Sequence, residues 1–139
     1  MKRTALELTD ARLRIPVNDG VMQFISTRGS SAHTDVGIPL VEIGKELEGA
    51  HFYCPSFKSC MYVVLHTDDF RIFAMAYGMH GLAFRVAPSE VSAAVADGGT
   101  VEPALGPDWV AFQAYDARGI TGTHDRLRRW AARALAGTL

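Results

Sequence analysis

The chain has 139 residues, with 14 Lys and Arg against 15 Asp and Glu, a net charge of −1 and 48% hydrophobic residues. That is the composition of one compact domain able to bury its own core. Balanced charge excludes a protein that coats polyanions over its whole surface, though not a local basic face. The longest unbroken apolar run, Met61 to Leu65, is far below the roughly 20 residues of a membrane-spanning helix. Met1-Lys2-Arg3 leads into Glu7 and Asp10 without a secretory apolar stretch, so a cytoplasmic protein with no membrane contact is expected. Its two cysteines, Cys54 and Cys60, are then expected as free thiols.

Arg12 to Val17 alternates Leu13, Ile15 and Val17 with Arg12, Arg14 and Pro16, and Val21 to Ser26 is again rich in apolar residues. With Asn18-Asp19-Gly20 between them, the pattern predicts a hairpin with Pro16 on an edge strand. Thr27 to Gly37 concentrates Gly, Ser, Thr and Asp and reads as an exposed loop. After Pro39, the spacing of Leu40, Ile43 and Leu47 predicts a short helix ended by Gly49.

Met61 to His66, Arg71 to Tyr77 and Leu82 to Val86 are three β-prone runs with four-residue connections, which predict an antiparallel meander. Pro88 opens a short helix over Ser89 to Ala96 that stops at Gly98-Gly99, and Trp109 to Tyr115 reads as a further strand. From Asp125 to Ala136, Leu127, Trp130, Ala131, Ala134 and Leu135 recur at helical spacing, with Thr121 or Thr123 available as cap. The order predicts a single α+β domain over residues 1–139, an antiparallel β-sheet with helices packed on one face. Its hairpin and loop occupy residues 1–50.

Two strands leading into Gly81-Leu82-Ala83-Phe84-Arg85-Val86-Ala87-Pro88-Ser89-Glu90, a short helix, a Gly-rich break, Pro107-Asp108-Trp109-Val110-Ala111-Phe112 and a terminal helix with Trp130 resemble the MmcQ/YjbR-like and TfoX N-terminal-like group of small bacterial domains. The resemblance covers about residues 57–139. It implies an α+β fold and, from some members, DNA binding, but no established reaction. The predicted N-terminal hairpin departs from the group, which usually begins with a helix.

His51-x2-Cys54-x5-Cys60-x5-His66 offers two thiolates and two imidazoles within sixteen residues, a donor set zinc accepts, although the cysteine spacing exceeds the usual two to four. A cysteine nucleophile would need His51, His66 or His80 as its base. No Gly-x-Ser-x-Gly elbow occurs, and Gly98-Gly99 follows a helix, where it cannot cradle phosphate. His66 before Asp68 and Asp69 resembles a general-base pair but reads more simply as a strand end entering a polar turn. No catalytic residue, metal ligand or cofactor is assigned.

Arg126, Arg129 and Arg133, with Arg128 on the flank, make one side of the last helix basic, a surface suited to phosphate or to a salt-bridged face. Both faces of the middle strands are apolar, Ile72, Ala74 and Ala76 on one and Phe73, Met75 and Tyr77 on the other. The second must be covered by the N-terminal half, a ligand or another copy. The resulting expectation is a non-enzymatic binding or regulatory module. Its binding residues would be Arg126, Arg129, Arg133, Tyr77 and Arg85, and its candidate partners nucleic acid, a small molecule or a second copy in a homodimer. The alternative is small-molecule binding or a metal- or thiol-dependent enzyme at His51, Cys54, Cys60 and His66.

Overall fold

The apolar runs read as strands pair with one another. The computed structural model describes residues 9–28, 34–55, 62–77, 81–113 and 123–138. They form six strands: β1 (His51–Tyr53), β2 (Val63–His66), β3 (Ile72–Tyr77), β4 (Gly81–Arg85), β5 (Thr100–Val101) and β6 (Trp109–Gln113). The sheet order is β1-β2-β3-β4-β6-β5, with every neighbouring pair antiparallel. Four α-helices lie among the described residues: α1 (Asp19–Arg28), α2 (Thr34–Glu46), α3 (Val91–Ala96) and α4 (Thr123–Thr138). The fold class is α+β, as the element order predicts.

One core joins α2, α3 and α4 to the sheet. Leu40 and Ile43 of α2, Ala94 of α3 and the α4 stripe Leu127, Trp130, Ala131, Ala134 and Leu135 bury against Val63, Leu65, Leu82, Phe84, Val110 and Phe112. Strand alternation sends those sheet residues to one side. A Cβ on Gly44 would lie 2.6 Å from Leu65 Cδ2, so glycine lets α2 approach β2 closely. α2 extends back to Thr34, with Pro39 inside the helix rather than at its start. Of the expected loop at 27–37, residues 27 and 28 end α1, 34–37 open α2, and the rest lies outside the described residues. The last turn falls as predicted, with Gly49 at φ +85°.

The sequence pattern needs one correction inside the sheet. Leu65 pairs with Ala74 but His66 pairs with Ile72, so Phe73 is an extra, bulged residue. The bulge turns Phe73 onto the face of Ala74 and Ala76 and puts Ile72 with Met75 and Tyr77. Simple alternation assigns Ile72 and Phe73 the other way round.

The N-terminal hairpin is not formed. Ala11–Leu13 and Pro16–Asn18 are short 3-10 turns, and Asp19–Arg28 is helical. Val21, Phe24 and Ile25 are buried at the i, i+3, i+4 spacing of a helical stripe. Asp10 starts the first turn by accepting from the Arg12 amide at 2.9 Å. Gly20 serves a close approach rather than a hairpin turn, since a Cβ there would lie 2.3 Å from the Leu105 carbonyl oxygen.

These elements cover the second sheet face, so helices pack on both faces of the sheet rather than on one as expected. Leu13, Val21, Phe24 and Ile25 pack on Tyr62, Val64, Ile72, Met75 and Ala83, with Leu105 and Trp109 completing the core. Of the three occupants the sequence allows, the N-terminal half takes this face, so it no longer argues for a second copy. No helix among the described residues is long and apolar enough to cross a membrane.

Candidate functional site

β1 lies at the sheet edge, and its pairing with β2 puts His51 beside His66 and Tyr53 beside Val64. Two tyrosine hydroxyls hold the chain segment that runs over this corner. Tyr53 Oη accepts from the Asp10 amide at 3.0 Å, and Tyr62 Oη meets Thr9 Oγ1 at 2.5 Å. Burial pushes the Tyr62 phenol up to about 12. Between that segment, β1 and the β2–β3 turn opens a cleft of about 470 Å³, lined by Asp10, Arg12, His51, Phe52, Tyr53, His66, Asp68 and Phe70 among others.

A row of stacked groups forms its wall. The His51 and His66 ring centroids are 5.4 Å apart with planes inclined by 26°. His66 and Phe70 are 5.0 Å apart at 19°, and the Arg12 guanidinium carbon lies 4.7 Å from the Phe70 centroid. Arg12 also closes on Asp10 (Nη2 to Oδ2, 2.7 Å), and that hydrogen bond holds the Asp10 carboxyl at about 2.

The turn Thr67-Asp68-Asp69-Phe70 fixes the row. The Phe70 amide donates to the Thr67 carbonyl at 3.0 Å, and the Thr67 hydroxyl donates to the Asp69 carboxylate while accepting from the Arg71 amide at 3.1 Å. Phe70 has φ +67°, left-handed backbone that a bulky side chain rarely adopts and that costs on the order of 1–3 kcal/mol. Asn18, fully buried, holds it there. Its Nδ2 donates to the Leu13 and Phe70 carbonyls at 2.7 and 2.8 Å, and its Oδ1 accepts from the Ile72 amide at 2.9 Å.

Each histidine uses one nitrogen within the protein. His51 Nε2 lies 2.5 Å from Asp68 Oδ1, and His66 Nδ1 lies 2.7 Å from the Thr67 carbonyl oxygen. Because those partners accept, the protons sit on His51 Nε2 and His66 Nδ1. Burial pushes the His66 imidazole down, favouring its neutral form.

The four predicted donors of the His/Cys cluster do not assemble as a metal site. His51 and His66 come together, but Cys54 is disulfide-bonded, which corrects the expected free thiol, and Cys60 lies outside the described residues. A disulfide sulfur at Cys54 is neither thiolate ligand nor nucleophile. Among the described residues no group of three or more His, Cys, Asp or Glu side chains could hold a metal.

The other predicted site residues lie elsewhere. Arg129 pairs with Asp97 at 3.2 Å, Arg128 with Glu46 at 2.9 Å, and Arg133 lies over the Trp130 ring at 4.8 Å. Asp97 also accepts from Trp130 Nε1 at 2.8 Å, and this bond lowers its carboxyl. Arg126 reaches toward Gly98. Arg85 lines a separate cleft of about 300 Å³ beside Arg71, where it pairs with Asp108 at 3.2 Å and Arg71 donates to the Thr138 carbonyl at 3.3 Å. Tyr77 meets Phe24 edge-on at 5.0 Å and donates to Glu102 at 3.4 Å. Asp10, Arg12, Tyr53 and Phe70 carry no local sequence signal of a site, since up to 60 positions separate them along the chain.

No family model, curated protein or solved structure matches the chain. Fold and geometry therefore define it, as an antiparallel α+β sheet covered on both faces with a polar, aromatic-walled cleft at the β1 edge.

Proposed function

We propose that the protein is a binding module that takes a small molecule in the β1-edge cleft. The observation that carries this reading is the concentration of His51, His66, Tyr53, Asp10, Asp68 and Arg12 around one opening with a stacked ring wall. Convergent polar groups on a partly apolar concavity are what small-ligand sites are made of. The strained Phe70 adds support, because backbone strain that places a ring in a cleft wall is typical of functional positions. A kinship with the MmcQ/YjbR-like and TfoX N-terminal-like group fits a module of this kind. The arginine row lends less support to nucleic-acid binding, since Arg128, Arg129 and Arg133 already have intramolecular partners.

Fragment screening by NMR tests the reading. Hits should perturb the ring signals of His51, His66 and Phe70 and lose affinity in a Phe70→Ala variant. Hits that instead cluster on α4 and survive that substitution would refute it.

A further inference from the structure

His66 is 7% exposed and lines the cleft. Its Nδ1–H is given to the Thr67 carbonyl, and its Nε2 has no partner among the described residues. A buried acceptor left in that state is costly, and a ligand donor at that point relieves the cost. His51 repeats the arrangement at the rim. With Nε2–H given to Asp68, a neutral His51 presents Nδ1 as a second acceptor. Asp68 adds carboxylate oxygens on a side chain that is 82% exposed.

The charges have the same bias. Two carboxylates, Asp10 and Asp68, face one guanidinium, Arg12, and Asp10 is already engaged by it. Near pH 8, well above the ordinary imidazole range, the lining carries two carboxylates against one guanidinium, an excess of one negative charge. The wall is built of flat groups, and one of them already carries a guanidinium on its face, as cation–π attraction favours.

We propose that the ligand of this cleft bears a planar, donor-rich cation, a guanidinium or amidinium group, that gives an N–H to His66 Nε2 and is matched in charge by Asp68. The proposal rests on the cleft being the binding site, and it names the ligand class. Such a group supplies several N–H donors in one plane and stacks on aromatic faces.

Three probes of nearly the same shape test it: benzamidine, benzamide and benzoate, titrated into histidine-labelled protein near pH 8. Benzamidine should shift the His51 and His66 ring signals saturably and bind at least about tenfold more tightly than the other two. His66→Phe, which keeps a ring in the stack and removes the acceptor, should weaken benzamidine about tenfold or more. Asp68→Asn, at an exposed position that tolerates substitution, should weaken benzamidine and leave benzamide unchanged. Equal or tighter binding of benzoate at the same ring signals would overturn the ligand class while keeping the cleft as the site. Failure of all three probes to move either histidine at millimolar concentration would overturn both. Unchanged benzamidine affinity in folded His66→Phe and Asp68→Asn proteins would also overturn the proposal.

Discussion

His51 and His66 face each other across the β1–β2 pair with ring centroids 5.4 Å apart. One ring is half-exposed and tied to a carboxylate, while the other is buried and tied to a carbonyl. Protonating the buried ring places a second positive charge beside His51 and Arg12, with Asp10 the nearby carboxylate that favours it.

The burial of His66 sets a pH dependence. Burial lowers the folded-state pKa of His66 below its ordinary 6.5, so as pH falls the unfolded chain takes up the proton first. The contribution is complete above 6.5 and is lost as pH falls from there through the folded-state value. Urea denaturation from pH 8 to pH 5 should show declining stability, and His66→Phe should flatten the decline over this window. An equally steep decline in the variant would show that other groups cause it.

Phe70 gives a test of strain against packing. Asn accepts left-handed backbone more readily than Ala, so Phe70→Asn should be more stable than Phe70→Ala by about 0.5–1 kcal/mol, although neither restores the ring. Both should be less stable than the parent chain, which keeps the contacts to His66 and Arg12. Thermal melts of the three proteins give the comparison.

Asn18 should be hard to replace. Asn18→Leu leaves the Leu13 and Phe70 carbonyls and the Ile72 amide without their partner. At about 1–3 kcal/mol for each buried group left unpaired, the loss should reach at least about 3 kcal/mol in denaturant unfolding. The same change should broaden the ring signals of Phe70 and His66, because it frees the turn that holds them.

Gly20→Ala inverts the usual helix rule. In an open helix the change stabilises by about 1 kcal/mol, but here the new Cβ would meet the Leu105 carbonyl oxygen at 2.3 Å. The variant should be less stable by about 1–3 kcal/mol, measured by the shift in urea midpoint. A stabilised variant would contradict the seating of α1 on the segment before β6.

The disulfide at Cys54 predicts that protein unfolded without reductant gives less than two thiols per chain with a thiol reagent, and gives two after reduction. Two thiols before reduction would contradict it.

Local pattern alone determined where β2, β3, β4, β6 and α4 lie, because runs of β-prone apolar residues and a helical apolar stripe mark them. Only tertiary contact decided the rest. Val21, Phe24 and Ile25 suit either a short strand or a helix, and α1 forms where the second sheet face takes up its apolar stripe. The bulge at Phe73 reverses two side chains that alternation assigns. The cleft escaped the linear pattern for the same reason: His51 meets Asp68 across 17 residues and Tyr53 meets Asp10 across 43. Strand pairing and the seating of the N-terminal turn, not spacing along the chain, bring those groups together.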